Sequence, residues 1–103
     1  MRIHLEPIGI IKKAGKYSEI MIYSDFEQIV KNVISKIGNE INGQKLLIVH
    51  KSRGSDENGH QVQITKADLV ERIGNILKIG KIDASDDSVI DVRLDTSETT
   101  KNT

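Results

Sequence analysis

Five short apolar segments follow one another between residues 45 and 94: KLLIVH, QVQIT, ADLVERI, NILKIGKI and SVIDVRL. None is long enough for a helix of ordinary length, and β-branched residues dominate them. Polar or glycine-containing breaks mark most of the boundaries, among them Asn58-Gly59, Ile73-Gly74-Asn75 and Ser85-Asp86-Asp87. Short apolar runs punctuated in this way read as strands joined by tight turns. No helix intervenes among them, which excludes an alternating βαβ architecture with its parallel sheet.

The first third of the chain adds two more strands and one helix. Residues 2 to 12, RIHLEPIGIIK, read as a first strand, with Pro7 confined to an edge, a strand start or a bulge because it lacks an N–H donor. The AGK at 14 to 16 breaks it, and YSEIMIY reads as a second strand. Phe26, Ile29, Val30, Val33, Ile34 and Ile37 then fall on one continuous helical stripe. Ser24 and Glu27 stand at capping-box spacing before it, and Gly38 is a natural stop.

The expected fold is therefore all-β, about seven short, mostly antiparallel strands with one amphipathic helix near 25–37. Closing the sheet at least partly into a small β-barrel would remove exposed edges, with the helix plugging or flanking it. A chain of 103 residues, 37% of them apolar, suits one domain over 1–94. The closing DTSETTKNT, 95–103, has no apolar residue and reads as a disordered tail.

Composition excludes several kinds of chemistry. Fifteen basic and fifteen acidic side chains cancel, so no global field draws in nucleic acid or an anionic membrane. There is no cysteine, hence no thiolate nucleophile and no cysteine-based zinc site. No apolar run is long enough to cross a bilayer, and MRIHLEPIGI lacks the features of a signal peptide; a cytoplasmic protein is expected. Three aromatics, Tyr17, Tyr23 and Phe26, make a poor stacking platform for RNA. His4, His50 and His60 are too scattered to read as a metal set and are expected to be structural or surface residues. Lys51 with Arg53, and Lys12 with Lys13 and Lys16, read as solvated loop charges able at most to hold an anion. Asp86 and Asp87 read as turn formers.

Three stretches carry a family resemblance: PIGIIK (7–12), SEIMIYSDFEQIVKNV (18–33) and DLVERIGNILKIGKIDASDDSVIDVRL (68–94). They resemble the opening strand, the second strand with its helix, and the C-terminal hairpins of the TsaA-like (YaeB, TrmO) family of small β-barrel methyltransferases. In the last stretch Gly80, Asp83, Asp86, Val89, Ile90 and Asp91 match the family pattern G-x-D-x-x-D-G-[ST]-P-[VL]-[LI]-D-I-K-P-Y. Asp87 stands where the family has glycine, Ser88 falls on the Ser/Thr position with the proline skipped, and Val92-Arg93-Leu94 replaces the Ile-Lys-Pro end. The resemblance implies a fold, S-adenosylmethionine as cofactor, tRNA as methyl acceptor, and a homodimer with the active site near its interface.

One departure outweighs these matches. The family's cofactor loop, of the type T-R-S-P-N-R-P-N-P-I-G, is replaced by SDENGHQVQIT (55–65), which has no proline, with Arg53 the nearest arginine. Methyl transfer needs the sulfonium held in line with its acceptor by several positioned groups. The expectation is thus a reduced TsaA-like domain without a cofactor, acting as a non-catalytic binding or interaction module with a protein partner. The alternative is an S-adenosylmethionine-dependent methyltransferase with a pocket rebuilt around Arg53, His60 and Asp91.

Overall fold

A computed structural model of the chain describes residues 6–37, 43–51 and 62–95. These form a closed barrel with the ring order β1-β2-β5-β4-β3-β6. The strands are β1 (Gly9–Ala14), β2 (Tyr17–Ile22), β3 (Lys45–Lys51), β4 (Val62–Ile73), β5 (Ile76–Gly80) and β6 (Ser88–Asp95). Every pairing is antiparallel. The single α-helix, α1, spans Glu27–Ile37.

The barrel has six strands where about seven were expected. QVQIT and ADLVERI are one strand: only Lys66 separates them, and a lone lysine breaks neither the alternation nor the ladder. Lys66 pairs with Leu47 between Thr65–Ile48 and Ala67–Leu46. The first strand begins at Gly9, so Pro7 precedes it and costs no ladder bond. At the other end Asp95, assigned above to the tail, closes β6, buried and ion-paired with Lys66 at 3.1 Å. The Asn58-Gly59 turn, Gly38 and the tail beyond Asp95 lie outside the described residues.

Tight turns join the hairpins where glycine accepts a left-handed backbone, Gly15 at φ 64° and Gly74 at φ 58°. The core is almost wholly aliphatic: Ile11, Ile20, Leu46, Ile48, Leu77, Ile79 and Val89 are fully buried. The helical stripe joins it through Val30, Val33 and Ile37. Helix entry differs from the capping box read in the sequence, because a 3₁₀ turn at Ser24–Phe26 precedes α1, with the Phe26 N–H donating to the Tyr23 carbonyl. No helix among the described residues is long and apolar enough to cross a membrane.

The ring order puts β2 and β3 on opposite sides of the barrel, so their connection must travel across it. Helix α1 makes that journey and packs on β6. The reason is visible in the seam: β1 and β6 pair only at Gly9–Val89 and Ile10–Ser88. Along the rest of β6, the apolar face of α1 meets the strand in place of β1. The seam requires glycine at position 9, because a Cβ there would collide with the Met21 carbonyl oxygen and press on Ile22. Gly9→Ala is therefore expected to cost about 1–3 kcal/mol. Urea unfolding would show it as a lower midpoint at unchanged slope.

Candidate functional site

In β3 the even-numbered positions face inward: Leu46, Ile48 and His50 are buried in alternation. His50 is thus placed in the interior by the same periodicity that buries its aliphatic neighbours. It sits at the end of the row, where the barrel opens. Directly across, Thr65 pairs with Ile48 and Gln63 with His50, so both share that inward face.

A histidine that is 1% exposed needs polar partners on both ring nitrogens. Thr65 Oγ1 lies 2.7 Å from Nε2, and Asp87 Oδ2 lies 2.8 Å from Nδ1. The carboxylate can only accept, so Nδ1 carries the proton; in the neutral ring Nε2 then accepts the Thr65 hydroxyl proton. The result is a directional chain running Thr65 O–H to His50 to Asp87.

Asp87 arrives from the β5–β6 connection, residues 81–87, which is tied down at both ends. The Ile82 N–H donates to the buried Ser18 hydroxyl at 3.1 Å. Further on, the Asp86 N–H donates to the Ile11 carbonyl at 2.7 Å, and the Ile11 N–H to the Asp87 carbonyl at 3.0 Å. Asp86 takes the left-handed backbone, φ 65°, and its side chain turns outward to Lys12 at 3.0 Å. The two adjacent aspartates therefore part company. Asp86 makes the turn, as the sequence implied, whereas Asp87 is not a turn former but the buried partner of His50.

Between this strap and β4 lies a pocket of about 530 Å³, lined by His50, Gln63, Thr65, Asp83, Ala84, Ser85 and Asp87. That size suits a small ligand. Its lining among the described residues is two carboxylates, an amide, two hydroxyls and an imidazole, with no lysine or arginine. No group of three or more His, Asp or Glu among the described residues is arranged to hold a metal ion.

Of the residues singled out for a rebuilt cofactor pocket, Asp91 is the one described; Arg53 and His60 lie outside the described residues. Asp91 does not line the mouth. A bulge in β6 lets His50 pair with Val89 while Val49 pairs with Asp91, so Asp91 shares the face of Val49, opposite to that of His50. One carboxylate oxygen accepts the Val92 N–H at 2.9 Å and the other the Arg93 guanidinium at 2.8 Å. It borders a groove of about 440 Å³ between β6 and α1 that also touches Asn32 and Lys36. Thr65 was not singled out in the sequence, and Asp87 was read there as a turn former. A usable signal existed in β3, since a histidine in phase with Leu46 and Ile48 must be buried and must find partners.

The pairing can be tested directly. Asp87→Asn keeps the shape of the side chain but replaces the carboxylate acceptor, and is expected to cost about 1–3 kcal/mol. Asp86→Gly relieves the left-handed backbone and loses only an exposed ion pair, so it should change stability by less than about 1 kcal/mol. Long-range ¹⁵N–¹H spectra should place the His50 proton on Nδ1 in the parent and alter in Asp87→Asn but not in Asp86→Gly.

No family model and no curated protein matches the sequence. The fold, however, is similar to the crystal structure of TrmO from Pseudomonas aeruginosa, with a TM-score of 0.67 at 12% identity. The match covers 100% of this chain and 61% of that one, so the chain spans under two thirds of the length of TrmO. At this identity the likeness establishes a shared TsaA-like barrel.

Proposed function

We propose, from the barrel shared with TrmO, that the chain is a reduced TsaA-like domain acting as a binding module for a small polar ligand held at the His50 mouth, and that methyl transfer has been lost. The observation that carries this reading is the division of the acidic residues. Asp83 and Asp87 face the mouth pocket, while Asp91 has both oxygens engaged by its own strand and borders α1 instead. A cofactor site drawing on Asp91 and on the mouth together would have to reach both faces of β6. The sequence adds weight, because the proline- and arginine-rich cofactor loop has no counterpart at 55–65. A homodimer, implied by the resemblance, is compatible with this role, as is a protein partner.

One observation favours the second reading, an S-adenosylmethionine-dependent methyltransferase acting on tRNA or a small acceptor. Lys51 and Val62, the paired ends of the 52–61 connection, lie at the mouth end of β3 and β4, beside His50 and Gln63. Arg53 and His60 belong to that connection, and a partner chain could supply further groups. Amide-resolved NMR titration with S-adenosylmethionine separates the two. The binding-module reading expects no saturable shifts at millimolar cofactor. Saturable shifts clustered at 50–62 and 83–93 would replace it with the methyltransferase reading.

A further inference from the structure

The chain Thr65–His50–Asp87 has the order and spacing of a hydroxyl nucleophile, its base and the group that orients the base. Both links are short, 2.7 and 2.8 Å, and they use opposite nitrogens of one ring. The donor order derived above leaves the Thr65 hydroxyl proton pointing at the Nε2 lone pair. The ring is fixed by burial, its orienting carboxylate is fixed by the strap, and all three residues border one cavity. A purely structural histidine needs its two partners but has no need of a 530 Å³ pocket alongside them. Gln63, two residues before Thr65 on the same inward face, presents a side-chain amide to that pocket, a donor of the kind that stabilises a developing oxyanion.

We infer that the barrel mouth is an acyl-transfer site in which Thr65 is the nucleophile, His50 the general base and Asp87 the positioning residue. This goes beyond ligand binding and rests on that reading only for the location of the site. Thr65 Oγ attacks an ester carbonyl carbon, its proton passes to His50 Nε2, and the carbonyl π pair moves to oxygen. Collapse breaks the bond to the leaving alcohol, which departs with the proton from His50. Water, deprotonated by the same nitrogen, then releases the acid and restores Thr65. Asp83 and Asp87 in the lining, with no lysine or arginine there among the described residues, favour esters that are neutral or cationic over anionic ones.

The probe is 4-nitrophenyl acetate on the full chain, read by 4-nitrophenolate release, by intact mass and by peptide mapping of the acetyl group. Acetylation should map to Thr65, and 4-nitrophenyl hydrogen succinate, which is anionic, should react more slowly. Thr65→Ala should lower the rate about 100-fold or more, Thr65→Ser should retain it, and Asp87→Asn should lower it while shifting the pH profile. His50→Gln should match Thr65→Ala; should it fail to fold, the Thr65 pair decides alone, with folding checked by amide spectra. Acetyl groups on lysines only, or an unchanged rate in folded Thr65→Ala, would overturn the inference. Titration with the unreactive amide N-(4-nitrophenyl)acetamide separates this from the binding reading. Saturable shifts at 63–65 and 83–87 without acylation would leave a binding mouth and remove the chemistry.

Discussion

The barrel closes on a ladder of two residue pairs, Gly9–Val89 and Ile10–Ser88, and most of the architecture follows from how short that ladder is. A sheet left open there would expose two edges and their unpaired backbone groups. Two devices extend the closure. On one side of the ladder, Ile11 continues the contact by exchanging backbone hydrogen bonds with Asp86 and Asp87 of the strap. On the other, the Ile8 N–H donates to the Val89 carbonyl and α1 packs its apolar stripe against β6. The helix is obligatory for a topological reason as well, because β2 and β3 stand across the ring from each other. One segment thus solves the connection and the gap together.

The candidate site is a by-product of this closure. The strap is drawn onto β1 by backbone bonds that have nothing to do with His50, and drawing it there sets the Asp87 carboxylate over the open end of the barrel. His50 comes to the same place by alternation along β3, and Thr65 by pairing of β4 with β3. Three independent register decisions converge on one polar chain. A slip of one residue in β4 would turn Thr65 outward and leave a buried imidazole nitrogen without its partner, at a cost of about 1–3 kcal/mol. The polar chain therefore penalises wrong registers in a core otherwise built from interchangeable aliphatic side chains.

Fold class, closure and the helix were legible in the sequence because they rest on local periodicity: Phe26 to Ile37 on one helical stripe, and short β-branched runs between turns. The strand count was legible only where a breaker stood. Gly15 and Gly74 mark real turns, while Lys66 marks nothing, and dividing the chain there produced an extra strand. The site was less legible for a different reason. The burial of His50 follows from its phase with Leu46 and Ile48, but its partner does not follow from any local pattern. Asp86 and Asp87 look alike in sequence, and a left-handed backbone at the first sends their side chains to solvent and to the core respectively. The face of Asp91 was illegible for the same kind of reason: a β6 bulge decides it, and nothing in SVIDVRL announces a bulge.

On the proposed reading, the mouth is also where stability and ligand binding interact. Asp83, Ala84, Ser85 and Asp87 contribute its outer wall from the strap, while His50, Gln63 and Thr65 contribute the inner wall from paired strands. A ligand seated between them bridges the strap to the barrel, across the same gap that the His50–Asp87 bond spans. It therefore adds to the forces that hold the strap on β1, and through the strap to the forces that close the seam. Because the unfolded chain has no such pocket, occupancy at a hundred times the dissociation constant would stabilise the fold by about 2.7 kcal/mol, comparable to the larger single-residue terms in the barrel. On the binding-module reading, binding and closure are one equilibrium, since both depend on where residues 81–87 lie.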